Sequence, residues 1–202
     1  MLFAEGVAAS LGAVDGIVVD AIAATAADGE RVIASHQPDV ALIDYGLPDC
    51  NGIELAARLH ARRPELRIVI VTSLVDERLV VRAVEAGCSG FITKDQSVDE
   101  LVAAIRAAAE GEALISPTLL SGVLRQIRGR SGDRRGDDLS TREREVLTLV
   151  CEGLSNPAIA ARLHVSHNTV RSHVQSILSK LHVHSKLEAA AVATRNGIVE
   201  LT

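Results

Sequence analysis

Residues 155–181 contain two apolar repeats at helical spacing, separated by one short turn. The apolar positions are Ile159, Ala160 and Leu163 in the first repeat and Val170, Val174, Ile177 and Leu178 in the second. Between the repeats, Val165 can fill the corner, and the Ser166 hydroxyl can accept a hydrogen bond from an unpaired amide at the start of the next helix. This pattern predicts a helix-turn-helix, whose second helix enters the major groove of DNA.

The outward face of the second predicted helix carries side chains that form hydrogen bonds. They are Asn168, Arg171, Ser172, Gln175 and Ser179. Arginine and glutamine can each form paired hydrogen bonds to the edges of guanine and adenine, so this face suits DNA. The alternative is an ordinary solvated helix face, which carries the same residue types.

Charge is divided unevenly along the chain. The net charge of −5 combines −9 in residues 1–122 with +4 in residues 123–202. A length of 202 residues fits one or two domains, and 48% hydrophobic residues can build their cores. An acidic front half and a basic back half favour two domains with different partners, the second of them DNA.

Composition disfavours several other classes of protein. No apolar run approaches the roughly 18 residues of a membrane span, and the acidic N-terminus is unlike a signal peptide, so we expect a cytoplasmic protein. Cys50, Cys88 and Cys151 form no CxxC pair and are expected to be reduced, small apolar residues. Five of the seven histidines lie within residues 164–184, but no cysteine or acid completes a metal-ligand set there.

Residues 1–112 alternate between strand and helix patterns, which predicts a parallel sheet covered by helices on both faces. The predicted strands are residues 16–20, 40–43, 68–71 and 90–93, and the predicted helices are residues 2–11, 28–35, 53–62, 76–86 and 98–110. Functional groups gather at the carboxyl ends of such strands. Those ends offer Asp44, Thr72 and Lys94, although each could merely be a polar residue leaving a strand.

A change of composition separates the two halves. Residues 117–127 predict a helix, and residues 128–138 lose all apolar content and predict a solvated linker, or alternatively a basic arm on DNA. Ser140 or Thr141 is expected to cap the next helix, and residues 185–195 to form the last one. We therefore predict domains at residues 1–112 and 139–202, joined by a helical connector and linker at residues 113–138.

Residues 139–193 resemble the LuxR-type DNA-binding domain along their whole length. The matching positions are Thr141, Glu143, Glu145, Val146, Leu147, Gly153, Ile159, Ala160, Leu163, Ser166, Thr169, Val170, His173 and Lys180. Pro157 departs from the family pattern, but proline is tolerated in a first helical turn. The resemblance implies DNA contacts by a set of residues in the second helix: Asn168, Thr169, Arg171, Ser172, His173, Gln175 and Lys180. We expect Arg171, Ser172 and Gln175 to read bases.

The front half is similar to the receiver domain of NarL/FixJ-type response regulators. The motif DYGLPDCNG makes Asp44 the implied phosphorylated carboxylate, VTS makes Thr72 the responding hydroxyl, and AGCSGFITKD supplies Phe91 as the aromatic switch and Lys94 as the amine that binds phosphate. The implied fold is α/β plus all-α: a flavodoxin-like receiver followed by a four-helix LuxR-type domain. The implied partners are promoter DNA, a sensor histidine kinase and a second copy of the chain, paired through the last helix.

One part of the receiver pattern is absent: its first strand and the acidic pair at the end of that strand. In the family these acids help to hold Mg²⁺, and Asp44 with the carbonyl of Gly46 forms only an incomplete site. Either the start codon was assigned too late, so that this strand is missing from the sequence, or the protein has an altered receiver.

The leading hypothesis is a transcription regulator controlled by phosphorylation of Asp44. The alternative is a phosphorylation-independent DNA-binding regulator whose front half serves in dimerisation or partner binding. An enzyme that uses Asp44 and Lys94 as acid and base is disfavoured, because no nucleophile lies near those strand ends.

Overall fold

The computed structural model describes residues 2–73, 76–112, 115, 117–127 and 138–199. The receiver half contains helices α1 (Leu2–Leu11), α2 (Ala26–His36), α3 (Gly52–Arg62), α4 (Glu77–Glu85) and α5 (Val98–Ala109), and strands β1 (Val40–Asp44), β2 (Arg67–Thr72) and β3 (Gly90–Thr93). Helix α6 (Pro117–Ile127) precedes α7 (Thr141–Cys151), α8 (Asn156–Leu163), α9 (His167–Leu181) and α10 (Lys186–Arg195). The predicted linker, apart from its last residue, lies outside the described residues.

The three strands form one parallel sheet in the order β1-β2-β3. Strand β2 is buried on both faces, as its unbroken apolar run requires. Val69 and Val71 pack with α1 and α5, whereas Ile68 and Ile70 pack with α2, α3 and α4. This arrangement confirms the predicted α/β receiver and its flavodoxin-like character, with helices on both faces of a parallel sheet.

The predicted strand at residues 16–20 is wrong. These residues have no regular secondary structure and belong to no strand of the sheet. Val18 is 82% exposed and Val19 is 38% exposed, although β-branched residues of this kind favour strands. A strand needs a neighbour for its backbone hydrogen bonds, and no described strand lies between this segment and β1. Local preference alone therefore does not make this segment a strand.

The four C-terminal helices form the predicted helix-turn-helix domain. Ser140, not Thr141, caps α7, and its side chain and that of Glu143 satisfy each other's backbone amides. Pro157 lies in the first turn of α8, where its missing amide hydrogen costs nothing. His164 ends α8 in the left-handed region with φ of 53°, and Ser166 then caps α9. These caps fix the turn between the two helices.

Helix α10 is buried within the chain. Its predicted pairing stripe, which consists of Leu187, Ala190, Ala191 and Thr194, is at most 8% exposed. The same apolar cluster contains Val80, Val81 and Val84 of α4 together with residues of α6. Arg67 also donates a hydrogen bond to the His184 carbonyl, just before α10. Pairing of two chains through this stripe would therefore require α10 to leave α4.

Two cysteines behave as buried apolar residues, as predicted, and Cys50 is half-buried; all three are free thiols. Burial raises the pKa of both the Cys88 and the Cys151 thiol to about 12, so neither is a thiolate at neutral pH. Within the described ranges, no helix is long and apolar enough to cross a membrane.

Candidate phosphoacceptor and DNA-binding sites

Asp44 is held at the carboxyl end of β1 by the loop that follows it. The Tyr45 amide donates to the Val71 carbonyl of β2 at 2.8 Å, and the Gly52 amide donates to the Tyr45 carbonyl at 2.9 Å. A Cβ at position 52 would overlap the Asp44 carbonyl oxygen, so glycine allows α3 to begin directly against the strand end. The backbone therefore presents the Asp44 carboxylate at the edge where parallel strands place functional groups.

The structure brings Asp44 and Lys94 together across the sheet. Lys94 Nζ lies 2.5 Å from Asp44 Oδ2, and the Gly46 amide donates to Asp44 Oδ1 at 3.1 Å. The ammonium also lies 4.9 Å from the centre of the Phe3 ring at the start of α1, a cation–π contact that the sequence did not suggest. Asp44 thus already has a charged partner on one oxygen and an amide on the other.

Thr72 and Phe91 occupy the neighbouring strands. Asp44 pairs in register with Val71, so Thr72 stands one residue further along β2, and it is buried. Phe91 on β3 pairs with Ile70 and packs against both the receiver core and the cluster that contains α4, α6 and α10. A change of the Phe91 rotamer would therefore alter the packing of both clusters. Asp44, Thr72 and Lys94 therefore lie at adjacent strand ends, whereas Phe91 lies near the start of β3.

The described residues near Asp44 do not fit a Mg²⁺ ion. Mg²⁺ takes oxygen ligands in near-ideal octahedral geometry, and a protein usually holds it through one or two carboxylates while several waters complete the shell. Within the described part of the chain, no three acidic, histidine or cysteine side chains lie together as a metal-ligand group. Asp44 Oδ2 is bound to Lys94, and the Gly46 amide points at the other oxygen. The site contributes a carboxylate that is already paired.

The predicted DNA-reading face of α9 is open to solvent. The side chains of Asn168, Thr169, Arg171, Ser172 and Gln175 are exposed, and His173 is half-buried. On the opposite face, Val170, Val174 and Ile177 are buried among the other helices. The helix is therefore fixed by its apolar face while its polar face projects from the domain.

Lys180 has a partner that the sequence interpretation missed. Its Nζ lies 2.7 and 2.9 Å from the two carboxylate oxygens of Glu143, and the Ser176 hydroxyl also donates to Glu143. The Glu143 side chain is only 6% exposed. Hydrogen bonds from Lys180 and then Ser176 lower the pKa of Glu143 to about 2. Both residues were recognised separately in the sequence, but nothing in their spacing joins α7 to α9.

Comparison with known proteins agrees with this architecture. A family model for the response regulator receiver domain matches residues 2–106, and the model for bacterial regulatory proteins of the luxR family matches residues 137–193. The chain is 35% identical over 199 residues to the "Probable transcriptional regulatory protein NarL" of Mycobacterium tuberculosis, which covers 98% of this chain and 92% of that protein. It is 37% identical over 186 residues to the "Uncharacterized transcriptional regulatory protein YxjL" of Bacillus subtilis, with 89% and 85% covered.

A solved structure leads to the same family. The two-component response regulator of the LuxR family from Aurantimonas sp. SI85-9A1 superposes with a TM-score of 0.55 at 32% identity, covering 60% of this chain and 87% of that one. Both halves of the chain, the receiver and the helix-turn-helix, are thus matched independently of each other. The chain belongs to the response regulators of two-component systems that join a receiver to a LuxR-type DNA-binding domain, which are transcription regulators and not enzymes.

Proposed function

We propose that this chain binds promoter DNA in a sequence-specific manner through α9. The observation that carries the proposal is the exposed polar face of α9 on a helix whose other face is buried. Arg171, Ser172 and Gln175 lie within about one turn of each other, a spacing that suits neighbouring base pairs in the major groove. Asn168, Thr169 and His173 are proposed to contact the sugar-phosphate backbone, which fixes the position of the helix.

Binding of the full chain to promoter DNA should weaken steeply as salt is raised. Lysine and arginine side chains release counterions when they neutralise phosphates, so the logarithm of affinity falls linearly with the logarithm of salt concentration. We expect a loss of about a hundredfold or more between roughly 50 and 200 mM salt, measured by fluorescence anisotropy. An affinity that stays flat over this range would contradict phosphate binding by this domain.

Replacement of Arg171 should relax the choice of base at one position of the site. A paired contact with guanine contributes about 1–3 kcal/mol of discrimination, so Arg171→Ala should lose about that much on the preferred sequence and little on its single-base variant. A binding-site selection with the wild-type chain and the variant provides the measurement.

Arg195→Ala is the matched control, because Arg195 is an exposed arginine at the end of α10 and is not among the residues predicted to contact DNA. Its removal changes the net charge by the same amount but should leave the selected sequence unchanged. Equal losses of affinity on every sequence with Arg171→Ala would show that Arg171 contacts phosphate and does not read a base.

We infer two candidate modes of control for the receiver half. In the first, a sensor histidine kinase phosphorylates Asp44, with Thr72, Phe91 and Lys94 responding, as the family resemblance implies. In the second, the chain works without phosphorylation, and the receiver binds a partner or a second copy. The second mode is supported by the pairing of Asp44 with Lys94 and by the poor fit of the described residues to Mg²⁺. Dimerisation through α10 is compatible with either mode of control, provided that α10 first separates from α4.

A further inference from the structure

The receiver and the DNA-binding domain meet at a cluster of polar side chains beside the start of α10. His60 lies in the last turn of α3, His184 lies just before α10, and Glu188 lies in the first turn of α10. The His60 and His184 rings stand edge to face with their centres 5.6 Å apart, and His60 Nε2 lies 3.9 Å from Glu188 Oε1. Arg67 at the start of β2 donates to the His184 carbonyl. These four residues, the His60 cluster, join the receiver to α10.

The His60 ring is packed closely by its surroundings. Its side chain is 20% exposed, and a Cβ at position 87 would overlap the ring, so Gly87 with its φ of 82° allows the ring to lie against the turn after α4. Within the described part of the chain, His60 Nδ1 is buried and has no hydrogen-bond partner. A protonated imidazole has two N–H donors, whereas the neutral ring has one. Protonation in this position therefore buries an N–H group without an acceptor, which is unfavourable.

The surroundings of His60 disfavour a further positive charge. Burial is the main cause that lowers the pKa of His60 from its ordinary value of 6.5; Glu188 on α10 raises it in part, and His184 and Arg67 lower it again. The turn after α4 contributes the uncharged Gly87 to this environment. The ring is therefore uncharged at neutral pH, and the charges of Arg67 and Glu188 balance each other beside it.

Proton uptake by His60 is linked to separation of the receiver from α10. When the two separate, the ring returns to water and regains an ordinary pKa near 6.5. The separated chain then binds the proton more tightly than the closed chain does, so acid favours separation. The stabilisation that the neutral ring gives to the closed chain is fully present above a pH of about 6.5, and it is lost as the pH falls through the lowered pKa of His60.

We propose that the His60 cluster is a proton-sensitive contact that holds α10 against the receiver and releases it when His60 takes up a proton. Helix α10 packs with α4 and α6 in one apolar cluster, and Glu188 joins its first turn to the receiver. Release uncovers the predicted pairing stripe of α10 without any change at Asp44, so pH acts on this chain separately from phosphorylation. The effect of release on pairing of two chains rests on the proposed dimerisation through α10, whereas the contact itself does not.

The test measures opening of the full chain by fluorescence resonance energy transfer, in solution dilute enough that pairing of chains does not contribute. One dye is attached through Ala61→Cys on α3 and the other through Ser179→Cys near the end of α9, both at exposed positions. Cys50→Ser removes the half-buried thiol, while Cys88 and Cys151 are buried. Energy transfer should fall as the pH is lowered from about 8 to about 5.5, and the ratio of open to closed chain should increase at least about threefold.

A pair of histidine variants identifies the titrating group. His60→Gln keeps a neutral polar side chain that cannot take up the proton, so the labelled variant should lose most of the pH dependence. His36→Gln makes the same change at an exposed position of α2 outside the cluster and should keep the pH dependence. Circular dichroism shows whether each variant folds. A wild-type chain that stays closed in acid, or a folded His60→Gln chain that opens as the wild-type chain does, would overturn the proposal.

Titration of His60 itself decides the matter in the unaltered chain, whether or not His60→Gln folds. Deuterium exchange at the imidazole C2 position, measured by mass spectrometry, should give a pKa of His60 below 6.5.

Glu188→Gln tests the role of the charge on α10. It keeps an oxygen that accepts from the His184 amide but removes the negative charge, so the pKa of His60 should fall further and acid should open the chain more readily. A pKa of His60 at or above 6.5, or one that Glu188→Gln leaves unchanged, would refute the proposal. No DNA takes part in these measurements, so their failure and a failure of the proposed DNA binding are distinguishable.

Discussion

Incubation of the 202-residue chain with acetyl phosphate and Mg²⁺ should leave Asp44 essentially unlabelled. Phosphoryl transfer requires that the negative charge on the transferring group be neutralised and that the attacking oxygen be free. Here Lys94 is bound directly to the Asp44 carboxylate at 2.5 Å, and the described residues contain no group of three or more acidic, histidine or cysteine side chains that could hold a cation. Mass spectrometry of the intact chain measures the labelled fraction.

The control for this experiment is a chain extended ahead of Met1 by an apolar strand that ends in two acidic residues. Such a strand could pair with the open side of β1 and add its carboxylates to the incomplete Mg²⁺ site at Asp44, so labelling should increase severalfold or more. Asp44→Asn in the extended chain should abolish it again. Strong labelling of the unextended chain that depends on Asp44 would show that Asp44 and Lys94 suffice, and would favour control by phosphorylation.

The functional positions at the strand ends could be predicted from the sequence because each depends only on residues that are neighbours in the chain. Val40–Asp44 and Gly90–Thr93 are apolar runs that each end at a polar residue, and parallel strands bring such ends to one edge. The pairing of Asp44 with Lys94 follows from that rule. The helix-turn-helix was equally local, since spacing, a capping serine and a short turn describe it completely.

The features that could not be predicted from the sequence depend on contacts between elements that lie far apart in the chain. Residues 16–20 have the right residue types for a strand, but no strand of the described part of the chain lies beside them to pair with their backbone. The burial of α10 against α4 joins two halves of the chain, and no periodicity within α10 reveals it. The contact of Lys180 with Glu143 spans 37 residues and was not predicted, while the DNA contact that the family resemblance implies for Lys180 stays a prediction. Long-range partners of this kind are invisible to local patterns.

Loss of the contact between Glu143 and Lys180 should destabilise the DNA-binding domain more than any exposed ion pair does. Glu143 is 6% exposed, so removal of Lys180 leaves a buried carboxylate without its charged partner, and Glu143→Gln removes the charge to which Lys180 and Ser176 donate. We expect Lys180→Met and Glu143→Gln each to cost about 2–3 kcal/mol of the free energy of unfolding at neutral pH. Chemical denaturation followed by circular dichroism measures the cost.

The matched control is Glu145→Gln, the same chemical change on the same helix. Glu145 pairs with Arg142 at 2.6 Å, but its side chain is 48% exposed. Exposed pairs contribute about 0–1 kcal/mol, so this variant should remain close to the wild-type chain. Equal costs for the two glutamine variants would mean that burial does not strengthen the contact with Lys180.

The pH dependence of the stability difference between the wild-type chain and Glu143→Gln identifies the cause of that difference. The pKa of Glu143 is lowered to about 2 in the folded chain, against an ordinary value of 4.5. A lowered folded pKa means that the stabilisation is fully present above about 4.5 and is lost as the pH falls towards 2. The wild-type chain should therefore lose its advantage over Glu143→Gln within this window. A stability difference that stays constant from neutral pH to pH 2 would exclude the ionised pair as its source.

The Lys180→Met variant also tests whether Lys180 contacts a phosphate of the DNA. A side chain that contacts a phosphate adds about one to the slope of affinity against salt, and its removal reduces the slope by about that amount. Because Glu143 already holds the Lys180 ammonium at 2.7 Å, folded Lys180→Met should keep the wild-type slope and lose affinity only through its unfolded fraction. A salt slope reduced by about one, with stability unchanged, would instead show that Lys180 contacts a phosphate, as the family resemblance implies.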